Sequence, residues 1–152
     1  MEIKISKLTS ANQKMAKEIT TLALQLGYQN RIKELSRRLE FILESNYDCV
    51  FIAQSDDQVI GWVHALVAVR VESPIFVEIT GLVVDENFRG KKVGQKLIEA
   101  VKDWVNDLEI PVIKVRCNVI RTESHKFYEA LGFTLDKEQK VFELSQFNVS
   151  SM

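Results

Sequence analysis

The sequence predicts an α/β fold around a mixed sheet in which most strands are antiparallel. Three observations indicate this fold. Short β-branched runs alternate with amphipathic helical segments, three strand-like runs follow one another between residues 49 and 84, and a strand–helix–strand unit comes next. The expected order of elements is β-α-α-β-β-β-α-β-α-β-β. The strand–helix–strand unit predicts two parallel strands joined by a right-handed crossover.

Composition limits the classes of protein to consider. The 152 residues, without repeats or a linker, suit one domain over residues 1–152. Lys plus Arg total 20 against 21 Asp plus Glu, so the broad basic field typical of nucleic-acid binding is missing and no nucleic-acid partner is expected. No apolar run approaches the roughly 20 residues that span a bilayer, so no membrane association is expected. Cys49 and Cys117 lie in apolar runs and are interpreted as buried thiols of a cytoplasmic protein.

The N-terminal part of the chain is predicted to form one strand and two helices. Ile3 and Ile5 alternate with polar neighbours, which is typical of a short strand. Residues 12–26 carry apolar side chains at helical spacing, and Gly27 supplies a stop. A second helix begins near Asn30, with Ile32, Leu35, Leu39 and Ile42 on one face.

Three strands should follow in an antiparallel meander, over residues 49–53, 59–71 and 75–84. Simple alternation along the third strand assigns its side chains to two faces. One face is predicted to carry Phe76, Glu78 and Thr80, and the other Val77, Ile79 and Gly81.

The C-terminal part repeats the alternation of helix and strand. Apolar side chains from Val93 to Leu108 mark an amphipathic helix, and residues 112–117 a strand. Residues 122–131 predict a helix ended by Gly132, and residues 133–144 a closing hairpin.

The loop over residues 83–95 joins a buried strand to a helix and contains two glycines, Gly90 and Gly94, with the cations Arg89, Lys91 and Lys92. The first turn of a helix offers unpaired N–H groups and the positive end of its dipole, which together favour an anion. A solvated basic turn that caps the helix is the alternative. Neither a Walker loop nor a G-x-G-x-x-G fingerprint is present.

This loop resembles the acetyl-CoA loop of the GCN5-related N-acetyltransferases, whose pattern is Arg/Gln-x-x-Gly-x-Gly/Ala. Arg89 matches the first position and Gly94 the last. Lys92 stands where the family usually has its first glycine. That departure implies either a backbone that accepts a Cβ, with an extra cation for phosphate, or a weakened loop.

Two further segments carry the same resemblance. Residues 118–133, with Phe127-Tyr128 and Leu131-Gly132-Phe133, resemble the family's C-terminal motif, and residues 78–85 resemble its central strand. The resemblance covers residues 47–144. It implies a mixed, mostly antiparallel sheet in which the parallel strands 75–84 and 112–117 are central and splay apart.

The resemblance further implies acetyl-CoA as cosubstrate, without a metal. Backbone groups of residues 82–84 would pair with the pantetheine arm, and amides of residues 89–95 would take the pyrophosphate. One amide near Val84 would polarise the thioester carbonyl. The implied cofactor-binding residues are Leu82, Val83, Val84, Arg89, Gly90, Lys91, Lys92, Val93, Gly94, Gln95, Asn118 and Phe127.

Two catalytic roles follow from the resemblance. Tyr128 stands where the family places its general acid, which protonates the departing thiolate; a core aromatic is the alternative. Glu78 precedes Arg89 by eleven residues, where several branches carry a catalytic glutamate. It is the candidate general base, or otherwise a solvent-facing strand residue.

The remaining polar candidates are less specific. Asn118 resembles the family's CoA-contacting asparagine, or else caps the next helix. His64 and His125 have no Cys or acidic partner at metal-ligand spacing, so we interpret them as structural. Cys117 could carry the acetyl group covalently, but direct transfer is favoured.

The acceptor is expected to be a small-molecule amine. In the family, the N-terminal helices and the closing hairpin around Lys137–Lys140 wall the acceptor site. Glu34, Glu40 and Glu44 would favour a cation there, or else form a solvated helix face. A protein lysine or N-terminus as acceptor, and a non-catalytic CoA-binding module, are the alternatives. Pairing through edge strands or the hairpin makes a homodimer an expectation.

Overall fold

The computed structural model describes residues 2–26, 31–117 and 119–147. The chain divides into two compact units, residues 1–115 and 116–152. In the first unit the elements are β1 (Lys4–Lys7), α1 (Gln13–Leu24), α2 (Ile32–Glu44), β2 (Asp48–Ser55), β3 (Gln58–Arg70), β4 (Ser73–Val84), a 3-10 turn (Glu86–Phe88), α3 (Val93–Asp107) and β5 (Ile113–Val115). The second unit contains α4 (Thr122–Ala130).

The first unit is built on a five-stranded sheet in the order β1-β2-β3-β4-β5. The first three pairings are antiparallel, and β4 pairs with β5 in parallel. The predicted α/β fold with a mixed, mostly antiparallel sheet is therefore confirmed. The strand–helix–strand unit over residues 75–115 also supplies the parallel pair, as predicted.

Helices cover both faces of this sheet. Apolar side chains of α1 and α2 pack on one face; this cluster contains Ile19, Leu22, Leu35, Leu39, Val50, Ile52 and Val83, with Trp62 against it. Gly61, the neighbour of Trp62, faces the opposite side, where a Cβ would meet Val93 and Leu97 of α3 at 3.4 Å. The helical periodicities read from the sequence thus identify most of each buried face, although Ile32 and Leu108, which the pattern includes, are exposed.

The predicted helix boundaries hold to within a few residues. Asn12 caps α1, since its side-chain oxygen accepts a 2.8 Å hydrogen bond from the Met15 amide. Gly27, the expected stop, lies outside the described residues. No helix within the described ranges is long and apolar enough to cross a membrane.

A β-bulge interrupts the pairing of β3 with β4. His64 is in register with Gly81 and Ala65 with Ile79, so Thr80 is an extra residue in β4. The predicted face of Gly81 is therefore wrong. A Cβ on Gly81 would lie 3.0 Å from the ring of Trp62, on the face opposite to the one expected. An inserted residue reverses the period-2 alternation, and local sequence pattern does not reveal it.

The second unit has a small aromatic cluster around Tyr128. Its ring meets those of Phe127 and Phe133 edge to face, with centroids 5.1 and 5.5 Å away. The chain turns at Gly132, whose φ of +96° favours glycine, and the Phe133 amide donates a 3.0 Å hydrogen bond to the Tyr128 carbonyl.

The predicted closing hairpin is absent from the described residues 133–147, which contain no strand. The apolar side chains of this segment are exposed, with Phe142 at 90% and Val141 at 85%. Apolar residues favour a strand, but a strand also needs a partner backbone. Leu135, Leu144 and Phe147 are exposed in the same way. We call residues 133–147 the C-terminal arm.

Candidate active site

The two parallel strands stay together over only three residues each. The pairs are Val77 with Ile113, Glu78 with Lys114 and Ile79 with Val115, and there β5 ends. Strand β4 continues to Val84. Its last five residues therefore have no strand beside them on the β5 side within the described part of the first unit.

Hydrogen bonds at the two ends of β4 show which way its backbone groups point. Before the bulge, the Val77 amide donates to the Val112 carbonyl at 3.0 Å, toward β5. After the bulge, the Asp85 amide donates to the Ile60 carbonyl at 2.7 Å, toward β3. Alternate residues of a strand point their amides to opposite edges. The extra residue Thr80 therefore reverses the edge of β4 toward which the amides of odd-numbered residues point.

This reversal turns the backbone groups of Leu82 and Val84 toward the open edge of β4. Of the three residues expected to pair with a pantetheine arm, these two present N–H and C=O groups there. The backbone of Val83 instead faces β3, and its side chain, 4% exposed, packs in the core. Open strand groups of this kind are suited to a ligand that pairs as another strand would.

The loop after β4 begins with a side-chain cap. The Asp85 carboxylate accepts a 3.0 Å hydrogen bond from the Asn87 amide, and the Asp85 carbonyl accepts one of 2.9 Å from Phe88. Gly90 and Lys92 then adopt positive φ, at 79° and 62°. Left-handed residues of this kind turn successive amides to one side, as in anion-binding nests.

Helix α3 starts without a side-chain cap. Lys92 is its N-cap, and the Lys96 amide makes the first hydrogen bond of the helix, 3.0 Å to the Lys92 carbonyl. The amides of Val93, Gly94 and Gln95 therefore have no acceptor within the helix. The buried side chain of Val93 holds this end of the helix against the sheet.

Three exposed cations surround this helix end. Arg89, Lys91 and Lys92 are all exposed, and the Lys91 ammonium lies 5.4 Å from the centroid of the Phe88 ring. Free amides, the positive end of a helix dipole and three cations together form a strongly anion-attracting surface. The geometry thus fits the expected phosphate loop.

Glu78 is mostly buried, so the alternative of a solvent-facing strand glutamate does not fit. Its side chain is 14% exposed, and one carboxylate oxygen lies 3.8 Å from Arg70 Nη2. Arg70 and Lys114 also approach the Phe76 ring, at 5.1 and 4.6 Å from its centroid. Glu78 is therefore a mostly buried carboxylate of β4 that has Arg70 of β3 beside it.

Tyr128 is held protonated by its surroundings. Burial raises the pKa of its phenol well above the ordinary value, and the Cys117 thiol adds to the rise. A phenol that stays protonated can donate a proton throughout the neutral and alkaline range.

The two thiols are poorly activated. Burial raises the pKa of Cys117, and the nearby Arg121 only partly opposes this. Because the thiolate is the nucleophile, a raised pKa argues against Cys117 as an acetyl carrier. Cys117 is also only half-buried, contrary to expectation, whereas Cys49 is buried and its pKa is raised to about 11, chiefly by burial.

Sequence reasoning missed a hydrogen-bonded group on three neighbouring strands. His64 Nε2 lies 2.7 Å from Asp48 Oδ1, and His64 Nδ1 lies 2.8 Å from Thr80 Oγ1. The residues are 16 positions apart along the chain, so no local motif joins them. The signal that could have revealed them is one polar residue facing the same side in each strand of a meander.

For the other predicted residues, the structure shows chiefly how exposed they are. On α2, Glu34 is half-buried, whereas Glu40 and Glu44 are exposed. Residues 137–140 lie in the exposed C-terminal arm. Asn118 is outside the described residues. Within the described ranges, no group of three His, Cys, Asp or Glu side chains could hold a metal ion.

Comparison with known proteins gives consistent matches. The profile of the Acetyltransferase (GNAT) family matches residues 14–133. An aminoglycoside N-acetyltransferase, AAC(6')-Iy, solved with CoA, is 25% identical, with a TM-score of 0.80 and 96% of each chain covered. Its complex with the bisubstrate analogue CoA-S-monomethyl-acetylneamine is 24% identical, with a TM-score of 0.79, covering 97% of this chain and 100% of that one. Human (Homo sapiens) N-acetylaspartate synthetase is 27% identical over 95 residues, 62% of this chain; the match spans 30% of that relative's length.

The left-handed conformation of Lys92 generates a prediction about stability. Lys92→Gly should raise the free energy of unfolding by about 0.5–1 kcal/mol, because glycine adopts positive φ without steric cost. Lys91→Gly, next to it and without positive φ, should lower stability by a similar amount. Urea denaturation of both variants measures this. Equal destabilisation by the two substitutions would contradict the assignment of strain to Lys92.

Proposed function

Because this chain belongs to the GNAT family of acetyltransferases, we propose that it transfers the acetyl group of acetyl-CoA to a primary amine of a small molecule. Family membership confirms the resemblance read from the sequence and makes the chain an acetyltransferase. The observation that carries the proposal is the open edge of β4, with the backbone groups of Leu82 and Val84 free for a ligand. The family match includes residues of both compact units, which supports a single N-acetyltransferase domain over residues 1–152.

The proposed donor is acetyl-CoA, and the support is that the solved structure of AAC(6')-Iy contains CoA. The backbone of Leu82 and Val84 would pair with its pantetheine arm. The amides of residues 93–95 and the three cations of the loop would take the pyrophosphate. Phe127 and Asn118 complete the proposed CoA-binding residues by resemblance alone.

The proposed chemistry is direct transfer. The amine nitrogen attacks the thioester carbonyl carbon, a C–N bond forms, and the C–S bond breaks. The Val84 amide stabilises the negative charge on the carbonyl oxygen, a contribution of about 3 kcal/mol for such a donor. Tyr128 gives its proton to the departing thiolate, and Glu78 takes a proton from the nitrogen.

A cationic small molecule is the proposed acceptor. The support is the likeness to an aminoglycoside N-acetyltransferase and the presence of two partly buried carboxylates, Asp48 and Glu78, on the sheet. Helix α2 contributes less than expected, since Glu34, Glu40 and Glu44 are balanced by three basic residues in the same helix. We place the protein in the cytoplasm because its two cysteines are free thiols.

We also propose that the protein is a homodimer in which a second copy covers the C-terminal arm. Five large apolar side chains of the arm are 79–90% exposed: Leu135, Val141, Phe142, Leu144 and Phe147. Several large exposed apolar residues in one short segment are typical of a protein–protein contact.

The CoA site is tested by isothermal titration of acetyl-CoA. Arg89→Met and Lys92→Met should each weaken binding by about tenfold, because each removes a charge-assisted contact with the pyrophosphate. Acetyl-pantetheine, which has no pyrophosphate, should bind wild type and both variants equally. Lys102→Met, an exposed lysine later in α3, is the matched control and should bind acetyl-CoA as wild type does. Unchanged affinity in both loop variants would contradict the site.

The role of Tyr128 is tested by kinetics. Tyr128→Phe should lower kcat by about 100-fold, the lower range for a general acid, without weakening acetyl-CoA binding. Since burial raises the pKa of Tyr128, its proton is retained as pH passes about 10, where an ordinary tyrosine ionises. Wild-type kcat should therefore not fall near that pH through loss of this proton. Tyr47→Phe, at an exposed tyrosine, is the control; equal rates for Tyr128→Phe and wild type would refute the assignment.

The homodimer is tested by gel filtration with light scattering. Wild type should elute at twice the 17.5 kDa chain mass. The double variant Phe142→Glu/Leu144→Glu should elute as a monomer, because charges would be buried in the contact. Glu143→Gln, between the two sites, should remain dimeric. A monomeric wild type would rule out the dimer.

A further inference from the structure

Asp48, His64 and Thr80 form one hydrogen-bonded chain across β2, β3 and β4. The distances are 2.7 Å from Asp48 Oδ1 to His64 Nε2 and 2.8 Å from His64 Nδ1 to Thr80 Oγ1. The side chains of Asp48 and His64 are 19% and 20% exposed, whereas Thr80 is exposed. The chain thus runs from a carboxylate largely shielded from solvent to a hydroxyl in contact with it.

The hydrogen bonds define which nitrogen of His64 carries the proton. An ionised carboxylate only accepts, so Nε2 of His64 must be the N–H donor to Asp48. In neutral imidazole the other nitrogen, Nδ1, is then an acceptor, and the Thr80 hydroxyl donates to it. This arrangement prepares His64 to receive a proton at Nδ1, on the Thr80 side.

Thr80 has a second acceptor that keeps the chain bonded after His64 is protonated. Its hydroxyl oxygen lies 3.2 Å from the His64 carbonyl oxygen. When Nδ1 gains a proton it donates to Thr80 Oγ1, and the hydroxyl turns to donate to that carbonyl. Both protonation states of His64 are therefore fully hydrogen-bonded, so a change of charge leaves no unsatisfied polar group.

The position of Thr80 connects this chain to the open edge of β4. Thr80 is the bulged residue, immediately after the last pair between β4 and β5 and two residues before Leu82. The charged groups near His64 are Asp48 on β2, Glu78 two residues before Thr80 on β4, and Arg70, the partner of Glu78, at the end of β3. The solvent end of the chain thus lies where the proposed acyl-donor edge begins.

We propose that the Asp48–His64–Thr80 chain is a proton relay that converts the acceptor from ammonium to free amine before transfer; the proposal rests on the proposed function. The ammonium gives a proton to Thr80 Oγ1 while the Thr80 hydroxyl proton passes to His64 Nδ1. The products are a neutral amine and an imidazolium paired with the Asp48 carboxylate. No bond other than O–H and N–H changes in this step.

The relay and Glu78 have separate tasks because the nitrogen loses two protons. The first leaves the ammonium, since only a neutral amine has the electron pair to attack. The second leaves the nitrogen after the C–N bond forms, and Glu78 takes it. Tyr128 supplies one proton to the thiolate, so the overall reaction releases one proton to solvent.

Two amines of the same shape distinguish the relay from a structural role. Propylamine is almost entirely ammonium at neutral pH, whereas O-ethylhydroxylamine, with oxygen in place of one methylene, is almost entirely neutral. Thiol release from acetyl-CoA is measured with each probe. His64→Gln, which can keep both hydrogen bonds, should lower kcat by about 100-fold with propylamine but less than about fivefold with O-ethylhydroxylamine.

Substitutions at Thr80 provide the matched pair. Thr80→Val, isosteric but without the hydroxyl, should reproduce the His64→Gln pattern, and Thr80→Ser should recover most of the loss. Thr21→Val is the control for this substitution, since Thr21 is an exposed residue on α1 whose hydroxyl donates to the Lys17 carbonyl. Glu78→Gln should slow both probes alike, because both must lose the second proton.

The outcomes separate failure of the relay from failure of the proposed function. Wild-type rates in His64→Gln, or an equal loss with both probes, would overturn the relay while leaving the acetyltransferase proposal intact. Wild type that releases no thiol with either probe or with a wider amine panel would overturn the proposed function and the relay with it. Imidazole nitrogen chemical shifts give an independent readout: neutral His64 should carry its proton on Nε2, and a proton on Nδ1 would refute the relay.

Discussion

The extra residue in β4 is the constraint on which the candidate site depends. A regular strand would turn the amides of Leu82 and Val84 toward β3, where the ladder would occupy them. Insertion of Thr80 reverses the alternation just as β5 ends, so these amides face an edge that no strand of the described first unit occupies. The same insertion brings Gly81 against the Trp62 ring, where a Cβ would lie 3.0 Å from the ring. One inserted residue thus turns two backbone amides toward the open edge. It also brings the Thr80 hydroxyl to His64 and requires glycine at position 81.

The loop after β4 shows how local strain and charge are combined. Lys92 occupies a left-handed conformation that costs a non-glycine residue about 1 kcal/mol or more. Lys92 is also the N-cap of α3, where the first amides have no acceptor within the helix. A cation at this helix end adds to the attraction of the helix dipole for an anion. The side chain of Val93 anchors this end of α3, because it is buried and packs toward Gly61. A departure from the family pattern at Lys92 is therefore compatible with the geometry of the turn.

Periodicity and the family motifs predicted much of this molecule from sequence. Helices α1, α2, α3 and α4 and all five strands of the sheet were expected near their observed positions, because burial imposes periods of 3.6 and 2 on the chain. The bulge was not expected, since an inserted residue has no local signature. The group at Asp48, His64 and Thr80 was missed because its members meet only through strand register. The described residues of the C-terminal arm carry apolar side chains but form no strand, because a strand needs a partner backbone that the segment itself does not encode.

In the proposed transfer, the carboxylates near β4 have two opposed effects on the acceptor amine. Asp48 and Glu78 would attract its ammonium form, but a nearby negative charge also favours the protonated form and raises the pKa of the amine. A carboxylate that attracts the ammonium more strongly therefore also makes it harder to deprotonate to the nucleophilic amine. In the proposed relay the base is a neutral imidazole, and the imidazolium it forms would be stabilised by the Asp48 carboxylate 2.7 Å away. With a neutral base, one group attracts the cation and another removes its proton. A carboxylate acting alone would have to do both.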